Sequence, residues 1–224
     1  LSGAIAGGGG TNSLQLDDTA STVNATGAES GTVTGVGGGF SAINGAVTGG
    51  AGNDAFFFNG GTLSGAVDGG GGSNSLHLDD VANTIEVTGG DSGTATGIGG
   101  GFSNMNQSVN GGSNSDAFDL NGGTLTGAIV GGGGTNSLQL DDVVNAVTVT
   151  GAESGTATGV GGGFSNINGA VTGGSNNDAF DLSGGTLSGA IAGGGGTNSL
   201  QLDDVANTVE VTGAESGTAT GVGG

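Results

Sequence analysis

The chain has 224 residues, of which 59 are Gly and none is Lys, Arg, Pro, Cys, Trp or Tyr. With 20 Asp and Glu residues against one His, its formal net charge at pH 7 is −20. A chain without cationic side chains has nothing to neutralise phosphates, which argues against nucleic-acid binding and against binding to anionic membranes. The counts also exclude disulfides, thiolate catalysis and cysteine-held zinc or iron–sulfur sites.

Composition also bears on order and on membrane insertion. Charged residues make up only 9% of the chain and apolar residues 33%, which is not the composition of a disordered, highly charged polymer. No apolar run approaches the length of a membrane span, so membrane insertion is not expected. The sequence therefore predicts an ordered protein.

An internal repeat organises the whole chain. Close copies of the segment LSGAIAGGGGTNSLQLDD begin at Leu1, Leu63, Leu125 and Leu187. The offset is 62 residues each time, with no insertion or deletion. Such a repeat predicts one continuous array over 1–224, in which each copy packs on its neighbours. Its units are 1–62, 63–124, 125–186 and a partial copy at 187–224.

Short apolar runs in each copy alternate with polar residues, as in strands that have one buried face. Examples are Phe118–Leu120 (FDL), Leu138–Leu140 (LQL) and Val209–Val211 (VEV). A helix is not expected, because four consecutive glycines such as Gly131–Gly134 would destabilise it by about 1 kcal/mol each. The chain is therefore predicted to be all-β.

The spacing of these runs predicts how the strands are arranged. One copy divides into segments of 20 or 21 residues with two apolar runs each: 135–155, 156–176 and 177–196. This pattern predicts a β-solenoid, a flattened β-roll or β-helix with about three coils of 20–21 residues per 62-residue repeat. At about 4.8 Å per coil, one repeat would advance by roughly 14 Å. Two stacked aromatic columns are expected, formed by Phe40, Phe102 and Phe164 and by Phe56, Phe118 and Phe180.

One motif in the sequence is associated with calcium. Residues Gly49–Phe57 (GGAGNDAFF) fit the nonapeptide G-G-x-G-x-D-x-U-x that binds calcium in RTX proteins. Later copies are GGSNSDAFD at Gly111–Asp119 and GGSNNDAFD at Gly173–Asp181. Calcium prefers six to eight oxygen ligands, so the Asp of each copy is a candidate ligand. These candidates are Asp54, Asp116 and Asp178.

On these motifs, and on the phrases GTATGVGGGFSNI (Gly155–Ile167) and GGSNNDAFDLSGGTLSGAI (Gly173–Ile191), the chain resembles RTX-related, haemolysin-type repeats. Those repeats form β-solenoids in large secreted or surface-attached bacterial adhesin-type proteins. The resemblance implies a secreted or cell-surface location and calcium at the three aspartates. RTX sites, however, arise where nonapeptides follow one another directly, whereas here they lie about 20 or 42 residues apart and half lack the carboxylate. The alternative, an Asp that caps its own turn, stays open.

Other acids and the single His are expected to lie on the surface. Adjacent strand residues point to opposite faces, so the acidic pairs cannot readily converge on one bond, and solvated turns are favoured over a catalytic pair. His77 replaces a Gln between two inward leucines and should point outward. The pairs are Asp17-Asp18, Asp79-Asp80, Asp141-Asp142 and Asp203-Asp204; a further acid recurs at Glu29, Asp91, Glu153 and Glu215.

The sequence favours a structural, non-enzymatic extracellular protein: a stiff stalk or fibre segment of an adhesin that associates with itself head to tail. A calcium-binding, RTX-like secretion or adhesion module is the alternative, with calcium as its cofactor. A carbohydrate-active enzyme would need one unique acidic cluster, and none is apparent. We expect the chain to be a segment of a longer protein, whose terminal domains would bind any surface or polysaccharide ligand.

Overall fold

The computed structural model describes residues 1–223, which form strands, turns and loops without a helix. Within this range there is consequently no helical segment that could cross a membrane. The prediction of an all-β chain is confirmed. The strands are β1 (Ile5–Ala6), β2 (Leu14–Gln15), β3 (Thr22–Gly27), β4 (Ser30–Val33), β5 (Val36–Ser41), β6 (Val47–Thr48), β7 (Ala55–Phe58), β8 (Val67–Asp68), β9 (Ser75–His77), β10 (Thr84–Gly89), β11 (Ser92–Ala95), β12 (Ile98–Ser103), β13 (Ser108–Asn110), β14 (Ala117–Leu120), β15 (Ala128–Val130), β16 (Ser137–Gln139), β17 (Ala146–Gly151), β18 (Ser154–Ala157), β19 (Val160–Ser165), β20 (Val171–Gly174), β21 (Ala179–Leu182), β22 (Ile191–Gly194), β23 (Ser199–Gln201), β24 (Val209–Gly213) and β25 (Ser216–Ala219).

Two long sheets contain nearly all of these strands. The 13-stranded sheet has the order β1-β5-β4-β3-β7-β9-β13-β15-β19-β18-β17-β21-β23, and the ten-stranded sheet has the order β2-β6-β8-β12-β11-β10-β14-β16-β20-β22. Strands β24 and β25 pair only with each other. Inward side chains of both sheets, such as Phe56 and Phe118, belong to one buried apolar cluster.

Most neighbouring strands within a sheet are parallel and aligned with similar residues above one another. Phe118 of β14 lies between Ile85 of β10 and Leu138 of β16. The offset to the next strand alternates between 33 residues (118 − 85) and 20 residues (138 − 118). The inward residues are buried and their neighbours are partly exposed, as the alternation in the sequence predicts.

Each repeat also contains an antiparallel three-stranded meander, which the sequence analysis did not predict. In the third copy it is formed by β17, β18 and β19, joined by the two-residue turns Ala152-Glu153 and Thr158-Gly159. Glu153 and Gly159 adopt positive φ values of 54° and 84°, which allow the chain to reverse within two residues. The uniform coils of 20–21 residues predicted from the sequence are therefore wrong, because 33- and 35-residue offsets enclose this meander.

Successive repeats begin on opposite sheets. In the second copy the chain visits the ten-stranded sheet with β8, the 13-stranded sheet with β9, and then alternates through the β10–β12 meander, β13 and β14. Five visits to alternating sheets leave the next copy half a turn out of phase. Phe40 and Phe164 accordingly lie in the 13-stranded sheet and Phe102 in the ten-stranded sheet.

This alternation corrects the predicted aromatic columns and the predicted length. The phenylalanines of both predicted columns are buried, but the paired neighbours of Phe102 and Phe164 in the parallel strands are Val67 and Ile129. Seven strand spacings separate β1 from β15, which are equivalent strands two repeats apart. At about 4.8 Å per spacing, two repeats advance by roughly 34 Å, or roughly 17 Å each rather than 14 Å.

Close approach of successive loops explains one recurrent glycine. A Cβ added at Gly189 would lie 1.9 Å from the carbonyl oxygen of Gly169, and one added at Gly65 would lie 1.9 Å from that of Gly45. Any side chain at Gly189 or Gly65 would therefore push the two stacked loops apart. Glycine here permits the loops to stack at the same spacing as the strands.

Candidate functional site

The three candidate calcium ligands occupy equivalent, buried positions. Asp54, Asp116 and Asp178 immediately precede β7, β14 and β21, and each is only 1–2% exposed. A buried carboxylate must be compensated by hydrogen bonds or by a positive charge. Since the chain has no Lys or Arg, the compensation has to come from N–H groups or from solution.

Asp178 shows how neutral donors supply this compensation. Its Oδ1 accepts hydrogen bonds from the backbone N–H of Asn145 at 2.8 Å and from Asn145 Nδ2 at 2.9 Å. Its Oδ2 accepts from the backbone N–H of Gly174 at 3.2 Å. The backbone N–H of Asp178 in turn donates to Asn198 Oδ1 at 2.8 Å. The carboxylate thus caps its own turn and also fastens the strands on either side.

Asn83 holds the corresponding carboxylate in the second copy and contacts further oxygens. Its Nδ2 lies 3.0 Å from Asp116 Oδ1, 2.9 Å from the carbonyl oxygens of Asp79 and Val81, and 2.8 Å from that of Gly111. We call these four oxygens and their equivalents in other copies the oxygen cage. Asp116 Oδ2 is buried without a hydrogen-bond partner. Burial raises the pKa of Asp116, although the Asn83 hydrogen bonds act in the opposite direction.

This arrangement does not fit calcium in the second and third copies. Calcium binds oxygens at about 2.3–2.6 Å and usually takes several carboxylates. Here an amide nitrogen already lies among the oxygens at 2.8–3.0 Å, and one carboxylate contributes. Within 1–223 no group of three His, Cys, Asp or Glu side chains is placed to hold a metal ion. Calcium at Asp54, where the cage lacks this amide, stays a prediction.

The paired acids lie at the corners of the array and bond to backbone N–H groups. Asp80 Oδ1 accepts from the backbone N–H of Ser113 at 2.9 Å, and Asp142 Oδ1 accepts from that of Ser175 at 2.9 Å. In the first copy, the hydroxyl and then the backbone N–H of Thr19 hydrogen-bond to Asp17 and lower its pKa. Asp80 and Asp142 thus connect successive strands, whereas the Asp17 contact stays within its own turn. The sequence analysis predicted solvated turns for these pairs and did not predict the connection between strands.

The recurrent acid at the meander tip joins one repeat to the next. Glu153 accepts hydrogen bonds from the backbone N–H of Ser188, at 3.0 Å to Oε1, and from the Ser188 hydroxyl. In the second copy Asp91 accepts from the backbone N–H of Thr126 at 2.6 Å and from its hydroxyl at 2.9 Å. Sequence reasoning missed this contact. The available signal was that every copy has Ser or Thr as its second residue.

The Ser188→Ala substitution is expected to lower the free energy of unfolding by about 1 kcal/mol, because the hydroxyl donor to Glu153 is lost while the backbone N–H remains. Urea unfolding followed by circular dichroism measures the change. Ser183→Ala is the control, since Ser183 is exposed in the loop after β21 and should change stability by less than about 0.5 kcal/mol. Equal effects of the two substitutions would contradict a stabilising contact between Ser188 and Glu153.

His77 lies on the outer face of the 13-stranded sheet, between the buried residues Leu76 and Leu78, as predicted. Its ring stacks on Phe57, with ring centroids 4.3 Å apart and planes inclined by 14°. Burial lowers the pKa of His77, so the ring is neutral at pH 7. The stacked pair fills surface space between the first and second copies and does not recur, because Asp119 and Asp181 replace Phe57 in the later copies.

A cavity of about 610 Å³ opens at the last described strands and is lined mainly by apolar residues. Val209 and Val211 line it and are 60% and 77% exposed, whereas their counterparts Val147 and Val149 are at most 1% exposed. In the third copy β21 pairs alongside β17, with Phe180 next to Val147 and Leu182 next to Val149, and extends the sheet beyond them. The cavity is therefore the inner face of a strand pair rather than a cleft built around reactive groups.

The comparisons with known proteins identify no relative: no family model, curated protein or solved structure matches the chain.

Proposed function

We propose that the chain is a structural, non-enzymatic segment of an extracellular bacterial protein, a stiff β-solenoid that serves as an adhesin stalk or surface fibre. The observation that supports it most directly is repetition of the contacts themselves. Each full copy forms the same backbone N–H hydrogen bond to its buried aspartate, and its meander-tip acid accepts a hydrogen bond from the Ser or Thr at the second position of the following copy. A set of contacts repeated with the sequence favours a load-bearing role over a single reactive site.

Stiffness is expected from the pairing of strands along the array. Parallel strands continue through both long sheets, so bending would strain many backbone hydrogen bonds at once. The meander is also hydrogen-bonded on both sides. Its strand β5 pairs with β1, and its strand β3 pairs with β7 further along the sheet. The secreted or cell-surface location rests on the RTX-type resemblance of the motifs.

Self-association is part of the proposal. Among the described residues, strand β24 with Val209 and Val211 lacks the parallel neighbour that β21 provides for β17 in the preceding copy. A strand with the sequence Ala-Phe-Asp-Leu would continue the sheet at β24, and that strand occurs in every full copy after the first. A second copy of the chain that supplied this strand would give head-to-tail growth.

Arrays of two, four and six complete repeats would test the rod. Small-angle X-ray scattering is expected to give a maximum dimension that rises by roughly 17 Å per added repeat at constant cross-section, from seven strand spacings per two repeats. A maximum dimension that grows as the cube root of mass would contradict the proposal. Measurement across a concentration series separates intrinsic length from head-to-tail association, which alone depends on concentration.

A further inference from the structure

The first copy differs from the next two at one residue of the oxygen cage. Asn83 and Asn145 place an amide nitrogen in the cage, but the equivalent residue of the first copy is Ser21. Ser21 is 6% exposed, and its hydroxyl donates to the carbonyl oxygen of Thr19 at 3.2 Å. Its side chain ends at that hydroxyl and cannot reach the other oxygens as an amide does.

The residues that supply the cage oxygens all have counterparts in the first copy. The corresponding oxygens are the carbonyl oxygens of Asp17, Thr19 and Gly49 together with Asp54 Oδ1, and the Ser21 hydroxyl adds a fifth. The Gln15 amide donates to the Gly49 oxygen at 2.6 Å, and the backbone N–H of Ser21 donates to Asp54 Oδ1 at 2.8 Å. A carbonyl oxygen has two lone pairs, so these hydrogen bonds leave acceptor capacity within the cage.

From this difference we propose that Ser21 creates, in the first copy only, a binding site for a monovalent cation of the size of potassium or ammonium. Its ligands are the carbonyl oxygens of Asp17, Thr19 and Gly49, the Ser21 hydroxyl and Asp54 Oδ1.

The distance from the cage oxygens to the centre of the cage determines which ions fit. In the second copy the oxygens lie 2.8–3.0 Å from the nitrogen of Asn83, the length of ordinary N–H···O contacts. Ammonium makes contacts of this length, and potassium has nearly the same radius and is bound by backbone carbonyls elsewhere. Calcium and magnesium need oxygens at about 2.3–2.6 Å and 2.0–2.1 Å, so they would have to contract the backbone around them.

Charge explains why a cation is preferred to a neutral occupant. Asp54 is 1% exposed; it accepts from the backbone N–H groups of Ser21 and Gly50 but lacks the amide donor that its counterparts Asp116 and Asp178 receive. Because the chain has no Lys or Arg, no side chain can supply a positive charge in exchange. A cation from solution restores what the amide provides and adds the missing charge.

Thermal unfolding of the full chain in KCl, ammonium chloride, NaCl, CaCl₂ and tetramethylammonium chloride at equal ionic strength tests the site. We expect KCl and ammonium chloride to raise the Tm of the parent chain by about 2–4 °C over tetramethylammonium. The Ser21→Asn variant, which copies the sequence of the later repeats, should be more stable in tetramethylammonium and lose the potassium-dependent shift. A potassium shift of equal size in both proteins would overturn the proposal.

The reverse substitution tests the same cage in another repeat. Asn83→Ser is expected to add a second potassium-dependent shift, and crystals soaked in thallium(I) should show an anomalous peak among the cage oxygens. If Asn83→Ser does not fold, Ser21→Asn and the thallium peak at Asp54 decide the question alone. A Ser21-dependent shift that appears with CaCl₂ or NaCl as strongly as with KCl would show that the inferred ion size is wrong.

Discussion

Replacing Phe118 by Ala is expected to lower the free energy of unfolding by about 3–5 kcal/mol, the largest effect of any single substitution considered for this chain. Phe118 is 1% exposed and lies between Ile85 and Leu138 of the neighbouring strands. Truncation to Ala removes apolar burial and leaves a cavity that the flanking hydrogen-bonded strands prevent from collapsing. Urea unfolding followed by circular dichroism measures the loss.

Phe57→Ala is the matched control for this substitution. Phe57 lies in the equivalent strand type but points outward, where it stacks on His77 and is only partly buried. Its removal should lower the free energy of unfolding by about 1 kcal/mol, the contribution of an aromatic pair. Comparable losses for the two variants would contradict the assignment of inner and outer faces.

The Asp178→Ala substitution is expected to lower the free energy of unfolding by about 2–4 kcal/mol. It leaves the backbone N–H groups of Asn145 and Gly174 without the carboxylate acceptor, and it removes one of the acceptors of Asn145 Nδ2. Buried donors that lose a charged acceptor carry the full penalty of desolvation, because water does not reach them. Thermal and urea unfolding both measure the change.

Two further variants give this prediction its controls. Asp178→Asn keeps an acceptor oxygen for Asn145 and should therefore lose less stability than Asp178→Ala. Asp181→Ala alters an outward acid of β21 and should change stability by less than about 0.5 kcal/mol. If Asp178→Ala were no more destabilising than Asp181→Ala, the buried carboxylate would not be holding the strands.

The strands and their buried faces could be predicted because strand periodicity is local. In Phe118–Leu120 the two apolar residues are buried and Asp119 between them is partly exposed, as two-residue alternation requires. The path between strands could not be predicted in the same way. Gly159 and Glu153 permit reversals that form an antiparallel meander, whereas a glycine-rich corner of a coil has the same composition.

Part of the candidate site was also accessible from the sequence. An Asp that caps its own turn was one of two interpretations of Asp178, and its Oδ2 does accept from the backbone of Gly174, four residues earlier. The contact with Asn145 was not accessible, since it joins residues 33 positions apart. This sequence separation depends on the length of the meander. A prediction with the wrong coil length therefore pairs the wrong side chains.

Because successive repeats are half a turn out of phase, equivalent residues alternate between the two sheets from one copy to the next. Equivalent residues such as Phe40 and Phe102 face inward from opposite sheets, and only Phe164, two copies after Phe40, returns to the first sheet. A gain or loss of one 62-residue copy would therefore reverse the side on which everything beyond it is displayed. A change of two copies would keep that side and alter only the reach, by roughly 34 Å. Near-identical copies are prone to such changes, so even-numbered steps are the ones that adjust length without altering orientation.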